Sequence, residues 1–212
     1  MTFSAGNITA TFGAGLATGV YNVGARSRDA AGNWSLVAKS ILVVYDPSIQ
    51  GVTGKNKQGF GLVYGSDALP WLTATLSGQA DYGFTVDWLG NGALDPHNDF
   101  HFEYDTGTQC QTPHPQNCHS VILDATSFAQ LAIDQTNNSR ARFQGTAAMV
   151  IDNSAATSNP FTIEGLDGDR LTPSVNDTFA LKIFAVGANP NTATPIYHVN
   201  VTLDKGNAIK VR

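Results

Sequence analysis

The densest group of residues able to do chemistry lies at 95–105, Asp-Pro-His-Asn-Asp-Phe-His-Phe-Glu-Tyr-Asp. If residues 99–105 form a strand, successive side chains alternate between its two faces. Phe100, Phe102 and Tyr104 then share one face, which can pack into a core. The other face carries four ionisable side chains, Asp99, His101, Glu103 and Asp105. This ionisable row predicts a solvated outer face, a ligand or metal site, or a catalytic site, and all three alternatives stay open.

Glycoside hydrolysis is the reaction that the ionisable row suits best. Two carboxyl groups about 5–5.5 Å apart serve retaining enzymes, and two about 6.5–9.5 Å apart serve inverting ones. Residues two apart on a strand are about 6.6 Å apart at the backbone, which is the spacing of Glu103 and Asp105. Asp99, four residues from Glu103, is a further candidate partner. Glu164 is another partner if its strand lies beside that of Glu103. A serine hydrolase is not favoured, because the chain has no Gly-x-Ser-x-Gly motif.

A second group of carboxylates lies at 164–169, Glu-Gly-Leu-Asp-Gly-Asp. Glu164, Asp167 and Asp169 are calcium ligands by type, gathered in a glycine-rich turn. Their spacing is not that of an EF-hand, and Asp-Gly-Asp is also an ordinary turn sequence. The stretch therefore predicts either a calcium site or a plain turn, and we expect no other cofactor.

Histidines and aromatic residues supply further candidate ligand contacts. His97 and His101 could bind zinc or copper together with Glu103, or contact an organic ligand. Trp88 and Tyr82 lie near the ends of predicted strands, where exposed rings stack on sugars. The alternative for both rings is the core of a β-sandwich, which aromatic side chains commonly fill.

The two cysteines, Cys110 and Cys118, enclose seven residues rich in turn formers. In a secreted protein we expect a disulfide between them, which would stabilise the fold by about 2–3 kcal/mol. Two free thiols are one alternative. A metal site completed by His114 and His119 is another, although the spacing matches no standard zinc pattern.

The composition indicates which elements position these side chains. Of the 17 acidic residues 15 are Asp, and only Glu103 and Glu164 are Glu. Asp favours turns and caps, whereas Glu favours helix interiors, so a helical bundle is excluded. A net charge of −5 with 12 dispersed Lys and Arg residues argues against a nucleic-acid surface. No run approaches 18 apolar residues, so we expect no membrane span.

Short alternating segments separated by Asn, Gly and Asp predict a series of strands. A helical turn is predicted only at 124–129, with Asp124 as its N-cap. The pattern predicts an all-β chain containing one large antiparallel β-sandwich with jelly-roll-like or Greek-key topology. The predicted strands are 72–76, 81–88, 99–105, 120–123, 130–134, 140–151, 161–166, 177–186, 196–203 and 208–211.

The first 48 residues have the pattern of a β-hairpin, with a turn at 28–33. Gly-Val-Tyr-Asn-Val at 19–23, Arg-Asp-Ala-Ala-Gly-Asn-Trp-Ser at 28–35 and Leu-Val-Val-Tyr-Asp at 42–46 resemble the last strands of bacterial immunoglobulin-like repeats. Since a whole repeat needs about 100 residues, the resemblance implies a partial unit. Its open edge would need cover from the next domain or from another copy of the chain, which allows a homo-oligomer.

The remaining chain has a second resemblance. Gly-Gln-Ala-Asp-Tyr-Gly-Phe at 78–84, Ala-Arg-Phe-Gln-Gly-Thr-Ala at 141–147 and Asp-Thr-Phe-Ala-Leu-Lys-Ile at 177–183 resemble the post-COAP-1 module. That family implies a β-sandwich placed after immunoglobulin-like repeats in secreted bacterial proteins, and it implies architecture without a chemistry. The segment 95–119 is longer and more polar than the resemblance implies.

Together these patterns divide the chain into a partial immunoglobulin-like unit (1–48), a Gly-rich linker or irregular first strand (49–68) and a β-sandwich module (69–212). We expect a non-catalytic extracellular or cell-surface module of a bacterial protein, used for adhesion, spacing or carbohydrate contact. The alternative is a glycoside hydrolase with a carboxylate pair around Glu103. Residues 1–10 lack the pattern of a signal peptide, so we expect a removed export signal, a fragment or an internal start.

Overall fold

The computed structural model describes residues 2–4, 7–9, 16, 19–44, 48, 50–56, 79–105, 120–134, 138–152, 154–203 and 208–212. Within these ranges the chain forms antiparallel strands and a single 3₁₀ turn, Gly168–Arg170, which confirms the predicted all-β class. None of the described helical structure is long and apolar enough to cross a membrane.

Thirteen strands are described, in three sheets. Two of the sheets are two-stranded, and the third has nine strands. In chain order the strands are β1 (Thr2–Ser4), β2 (Asn7–Thr9), β3 (Gly19–Ala25), β4 (Ala38–Val44), β5 (Gly51–Asn56), β6 (Gln79–Asp87), β7 (Asp99–Asp105), β8 (Ser120–Ile133), β9 (Arg140–Ile151), β10 (Thr157–Leu166), β11 (Thr178–Ile183), β12 (Tyr197–Thr202) and β13 (Ile209–Val211).

The nine-stranded sheet is a meander that curls on itself. Its strands lie in chain order from β5 to β12, and β13 pairs with β5 at the far edge. A flat sheet would place β12 and β13 about 38 Å apart, at about 4.8 Å per strand. Residues 203–208 join them and span at most about 25 Å when fully extended, so the two edges must approach each other.

This topology corrects the jelly-roll or Greek-key prediction. Each described strand from β5 to β12 pairs with the strand next to it in the chain, and this is the strand order of a meander. The stretch 49–68, expected to be a linker or an irregular first strand, contains the regular strand β5, which is paired on both sides.

Aromatic side chains fill the inside of the curl. Tyr82 stacks on Phe179 with ring centroids 4.2 Å apart, and Phe100 lies 5.0 Å from Phe161. Each pair joins strands that are several positions apart in the sheet, so the two halves of the curled sheet face each other as in a sandwich. The inner face predicted for β7 is confirmed, because Phe100, Phe102 and Tyr104 are fully buried.

Strand β8 corrects the prediction of two strands joined by a helical turn at 124–129. It is continuous from Ser120 to Ile133, with register shifts against β9 between Ala125 and Ser127 and between Phe128 and Gln130. The long strand β9 offers backbone partners along nearly the whole of this stretch, and pairing with it outweighs the local tendency to turn. Asp124 is therefore an exposed strand residue and caps no helix.

The N-terminal hairpin, β3 and β4, has the same loop geometry as the hairpin of β6 and β7. In the first loop the Gly32 N–H donates to the Asp29 carbonyl oxygen, and in the second the Gly92 N–H donates to that of Leu89. Both glycines have positive φ, +91° and +82°, a conformation that favours glycine. The hairpin of β3 and β4 lies against β8.

Two buried carboxylates, Asp167 and Asp177, bind the edge of β13 that faces away from β5; we call this pair the carboxylate clasp. The Ile209 N–H donates to Asp177 Oδ2 (2.9 Å), and the Val211 N–H donates to Asp167 Oδ2 (3.0 Å). Asp177 Oδ1 also accepts the Gly168 N–H (2.8 Å). The clasp thus satisfies backbone donors that an adjacent strand would otherwise satisfy.

Candidate functional site

The described side chains of the ionisable row, those of Asp99, His101 and Glu103, lie on the outer face of the sheet, as the alternation of β7 predicts. His101 Nδ1 is 2.7 Å from Asp124 Oδ1 on β8, and His101 Nε2 is 3.8 Å from Glu103 Oε2. These side chains are well exposed to solvent, so their ion pairs contribute little to stability. Asp99 is exposed beside them, and Asp105 is the last residue of β7.

The structure does not pair Glu103 with Glu164. Glu164 lies on β10, and β8 and β9 separate that strand from β7. Three strand spacings correspond to about 14 Å. The strand of Glu164 therefore does not lie beside that of Glu103, and Glu164 is not its partner. The carboxylate directly opposite Glu103 is Asp81 on β6, a residue that the sequence interpretation did not include.

Tyr82 is wrongly predicted as a ligand contact. Its ring is 5 % exposed and stacks on Phe179 in the core, because the alternation of β6 places it on the same face as Phe84. Burial, and to a lesser extent the charge of Asp177, raises the pKa of the Tyr82 phenol. Trp88 is partly buried and also packs against the core.

The predicted metal ligands are not brought together. Asp167 belongs to the clasp, Asp169 lies 3.6 Å from Lys210 Nζ, and Glu164 is exposed on the outer face of β10. Among the residues that the structure describes, no three His, Cys, Asp or Glu side chains are arranged to hold a metal ion. The predicted disulfide and the alternative metal site lie outside the described residues, at Cys110, His114, Cys118 and His119.

His97 lies in the loop between β6 and β7 and is exposed. Its N–H donates to Asp95 Oδ1 (2.8 Å), and its Nδ1 lies 2.9 Å from the same oxygen. These hydrogen bonds lower the pKa of the Asp95 carboxyl. His97 therefore helps to shape the loop through Asp95, whereas His101 lies on β7.

Ionisation of Asp87, at the start of this loop, is expected to make the folded protein less stable as pH rises. Burial raises the pKa of its carboxyl, Arg212 at 2.8 Å opposes that rise, and Asp95 adds to it. The folded protein therefore retains the Asp87 proton at pH values where the unfolded chain has lost it, so the free energy of unfolding falls as pH rises from about 4 through the raised pKa.

Asp87→Asn should remove this fall. The free energy of unfolding of each protein is measured with urea from pH 3.5 to 7. The value for the wild type minus that for the variant should decrease as pH rises. Asp99→Asn, an exposed change on the next strand, is the control. A difference curve for Asp87→Asn that is flat or rises with pH would contradict the assignment.

A polar groove lies between the outer face of β8–β11, the hairpin of β3 and β4, and the loop after β11. It consists of two adjoining cavities of about 670 and 470 Å³, which share Asn22, Asn191 and Thr192 as lining residues. We use the name polar groove for these two cavities together. Volumes of this size are typical of small-molecule sites.

Strand register aligns the floor of the polar groove into rows of polar side chains. Gln130 and Gln144 lie opposite each other on β8 and β9, and Thr162 and Lys182 continue the row on β10 and β11. This row crosses four strands, or about 14 Å. A second row begins with Arg142 and Glu164, which are also direct cross-strand partners and line the smaller cavity.

The walls of the groove come from outside the sheet. Asn22 and Lys39 project from the hairpin, and Asn191 projects from a loop in which its N–H donates to Asn189 Oδ1 (3.0 Å). On the floor, Gln144 Oε1 is buried and has no hydrogen-bond partner among the described residues. The floor of the groove therefore contains a buried acceptor for which the described residues supply no donor.

Of the groove residues, the sequence interpretation singled out Glu164 alone. The alternation along 140–151 does place Arg142 and Gln144 on one face of their strand, so the sequence contains a signal for these two groove residues. It does not reveal which residues of β8, β10 and β11 lie beside them, because cross-strand register depends on loop lengths and bulges. Comparisons of the chain with protein-family models, with curated proteins and with solved structures find no match.

Proposed function

We propose that the protein is a non-catalytic extracellular module that contacts carbohydrate through the polar groove. The observation that carries the proposal is the carboxamide lining, supplied by Asn22, Gln130, Gln144 and Asn191. A carboxamide both donates and accepts hydrogen bonds, which suits the hydroxyl groups of a sugar. Gln144 Oε1 is buried without a partner, so rotation of this carboxamide toward a ligand hydroxyl would satisfy it, since buried polar atoms without partners are uncommon.

The carboxylates of the groove favour binding over hydrolysis. Glycoside hydrolysis uses two carboxyl groups in most families, and Glu164 is the only carboxylate among the described residues that line the groove. The resemblance to immunoglobulin-like repeats and to the post-COAP-1 module supports an extracellular or cell-surface location. Adhesion of a bacterial cell or enzyme to a glycan is the role that fits such a module.

Screening on an array of neutral and acidic oligosaccharides, followed by calorimetry on those bound, tests the proposal. We expect the double variant Gln144→Ala/Asn191→Ala to weaken binding about fivefold or more, because each lost hydrogen bond contributes about 0.5–1.5 kcal/mol. Glu103→Gln, on the outer face of β7 and outside the groove, is the matched control and should bind as the wild type does.

Two results would overturn the proposal. One is the absence of binding to every oligosaccharide on the array. The other is turnover of an oligosaccharide that Glu103→Gln abolishes, which would support the glycosidase alternative instead.

A further inference from the structure

The polar groove is cationic within an acidic protein. Its described lining includes Lys39 from the hairpin, Arg142 from β9 and Lys182 from β11, against one carboxylate, Glu164. The whole chain carries a net charge of −5. A local excess of positive charge on such a background attracts an anionic ligand and disfavours cationic ones.

The charged side chains of the groove floor are not used by the fold. Arg142 and Glu164 are opposite each other in register. The side chains of Arg142, Glu164 and Lys182 nevertheless make no ion pair and no hydrogen bond with any described residue. All three are exposed. Charges that stabilise no internal contact are available to a ligand, and Arg can bind a carboxylate through two parallel hydrogen bonds.

The spacing of the two cations suits a polymer. Arg142 and Lys182 are two strands and two residues apart, which corresponds to about 12 Å between their Cα atoms. A chain that carries a carboxylate on successive sugars can therefore meet both cations while its hydroxyl groups contact Gln144 and Asn191. Glu164, between the two cations, can accept a hydrogen bond from a hydroxyl.

We infer that the ligand of the polar groove is an acidic polysaccharide, with sugar carboxylates bound by Arg142 and Lys182. This inference rests on the proposed carbohydrate contact and adds the substrate class. It also implies that binding weakens as salt is added, since exposed charge pairs are screened.

The test uses matched ligands that differ only in charge. Oligogalacturonate, oligomannuronate and oligoglucuronate are each compared with the carboxyl-reduced oligomer by calorimetry at 50 and 500 mM NaCl. We expect at least one acidic oligomer to bind at least tenfold more tightly than its reduced counterpart at low salt, with most of that preference lost at high salt.

Substitutions in the floor of the polar groove then show which residues cause the preference for acidic oligomers. Arg142→Met/Lys182→Met should bring the acidic and reduced oligomers to nearly equal affinity without abolishing binding. Arg140→Met is the control, because Arg140 is exposed on the same face of β9 but does not line the groove. The Arg140→Met variant should keep the wild-type preference for acidic over reduced oligomers.

Failure of the inference and failure of the proposed function give different results. If reduced oligomers bind as tightly as acidic ones, or if the double Met variant keeps the preference, the acidic class is wrong while carbohydrate contact stands. If hexaglutamate binds as tightly as the best oligouronate, the ligand is an acidic peptide and the inference is overturned. If no oligosaccharide binds, both are overturned together.

Discussion

Replacing Asp177 by asparagine is expected to lower the free energy of unfolding by about 2–4 kcal/mol. Asp177 is 3 % exposed and accepts a backbone N–H on each carboxylate oxygen, from Gly168 and from Ile209. Asparagine keeps only one acceptor oxygen and turns an NH₂ group toward the other donor. One buried N–H is then left without an acceptor, and the charge-assisted character of the remaining bond is lost.

Urea unfolding followed by circular dichroism measures this change, and Asp169→Asn is its matched control. Asp169 lies on the same loop but is half exposed, and its contact with Lys210 is 3.6 Å, so we expect a change of at most about 0.5 kcal/mol. Amide exchange at Ile209 and Val211 should also become faster in Asp177→Asn, because opening of β13 exposes those groups. Equal effects of the two variants would contradict the role of the clasp.

Gly145→Ala is expected to destabilise the protein by about 3 kcal/mol or more. A Cβ on Gly145 would lie 2.0 Å from the Ser127 carbonyl oxygen and 3.1 Å from Phe128 Cα. These are backbone atoms at the register shifts of β8, so they cannot move aside as a flexible side chain could. Relief of the clash requires β8 and β9 to separate where they pair.

Gly83→Ala on β6 is the control for Gly145→Ala. Nothing lies within 4 Å of a Cβ at Gly83, and its loss of backbone freedom should leave stability unchanged or raise it by up to about 1 kcal/mol. The two variants are compared by thermal and urea unfolding. Equal stability of both variants would show that β8 is not bulged against Gly145 as described.

The sequence predicts most of what depends on alternation alone. In β7 it correctly assigns Phe102 to the core and Glu103 to the outer face, because the two-residue period of a strand does not depend on its neighbours. The same two-residue period along β6 places Tyr82 inside with Phe84, in agreement with the core alternative for its ring and against the ligand contact.

What depends on pairing between distant segments could not be predicted. The stretch 124–129 favours a turn locally, and only the length of β9 explains why it stays extended. Likewise, Glu164 lies beside Arg142 and away from Glu103 because of the strand order, which no short motif encodes. The polar groove combines a sheet face with an N-terminal hairpin, so neither segment alone indicates it.

Folding of the nine-stranded sheet can proceed hairpin by hairpin, since each strand from β5 to β12 pairs with its neighbour in the chain. Pairing of this kind closes comparatively short loops and costs little chain entropy. The exception is the contact between Ile209 and Gly54, which joins the last described strand of the sheet to its first. That closure requires most of the chain to be ordered beforehand, so β13 is expected to be the last strand to join and the first to detach.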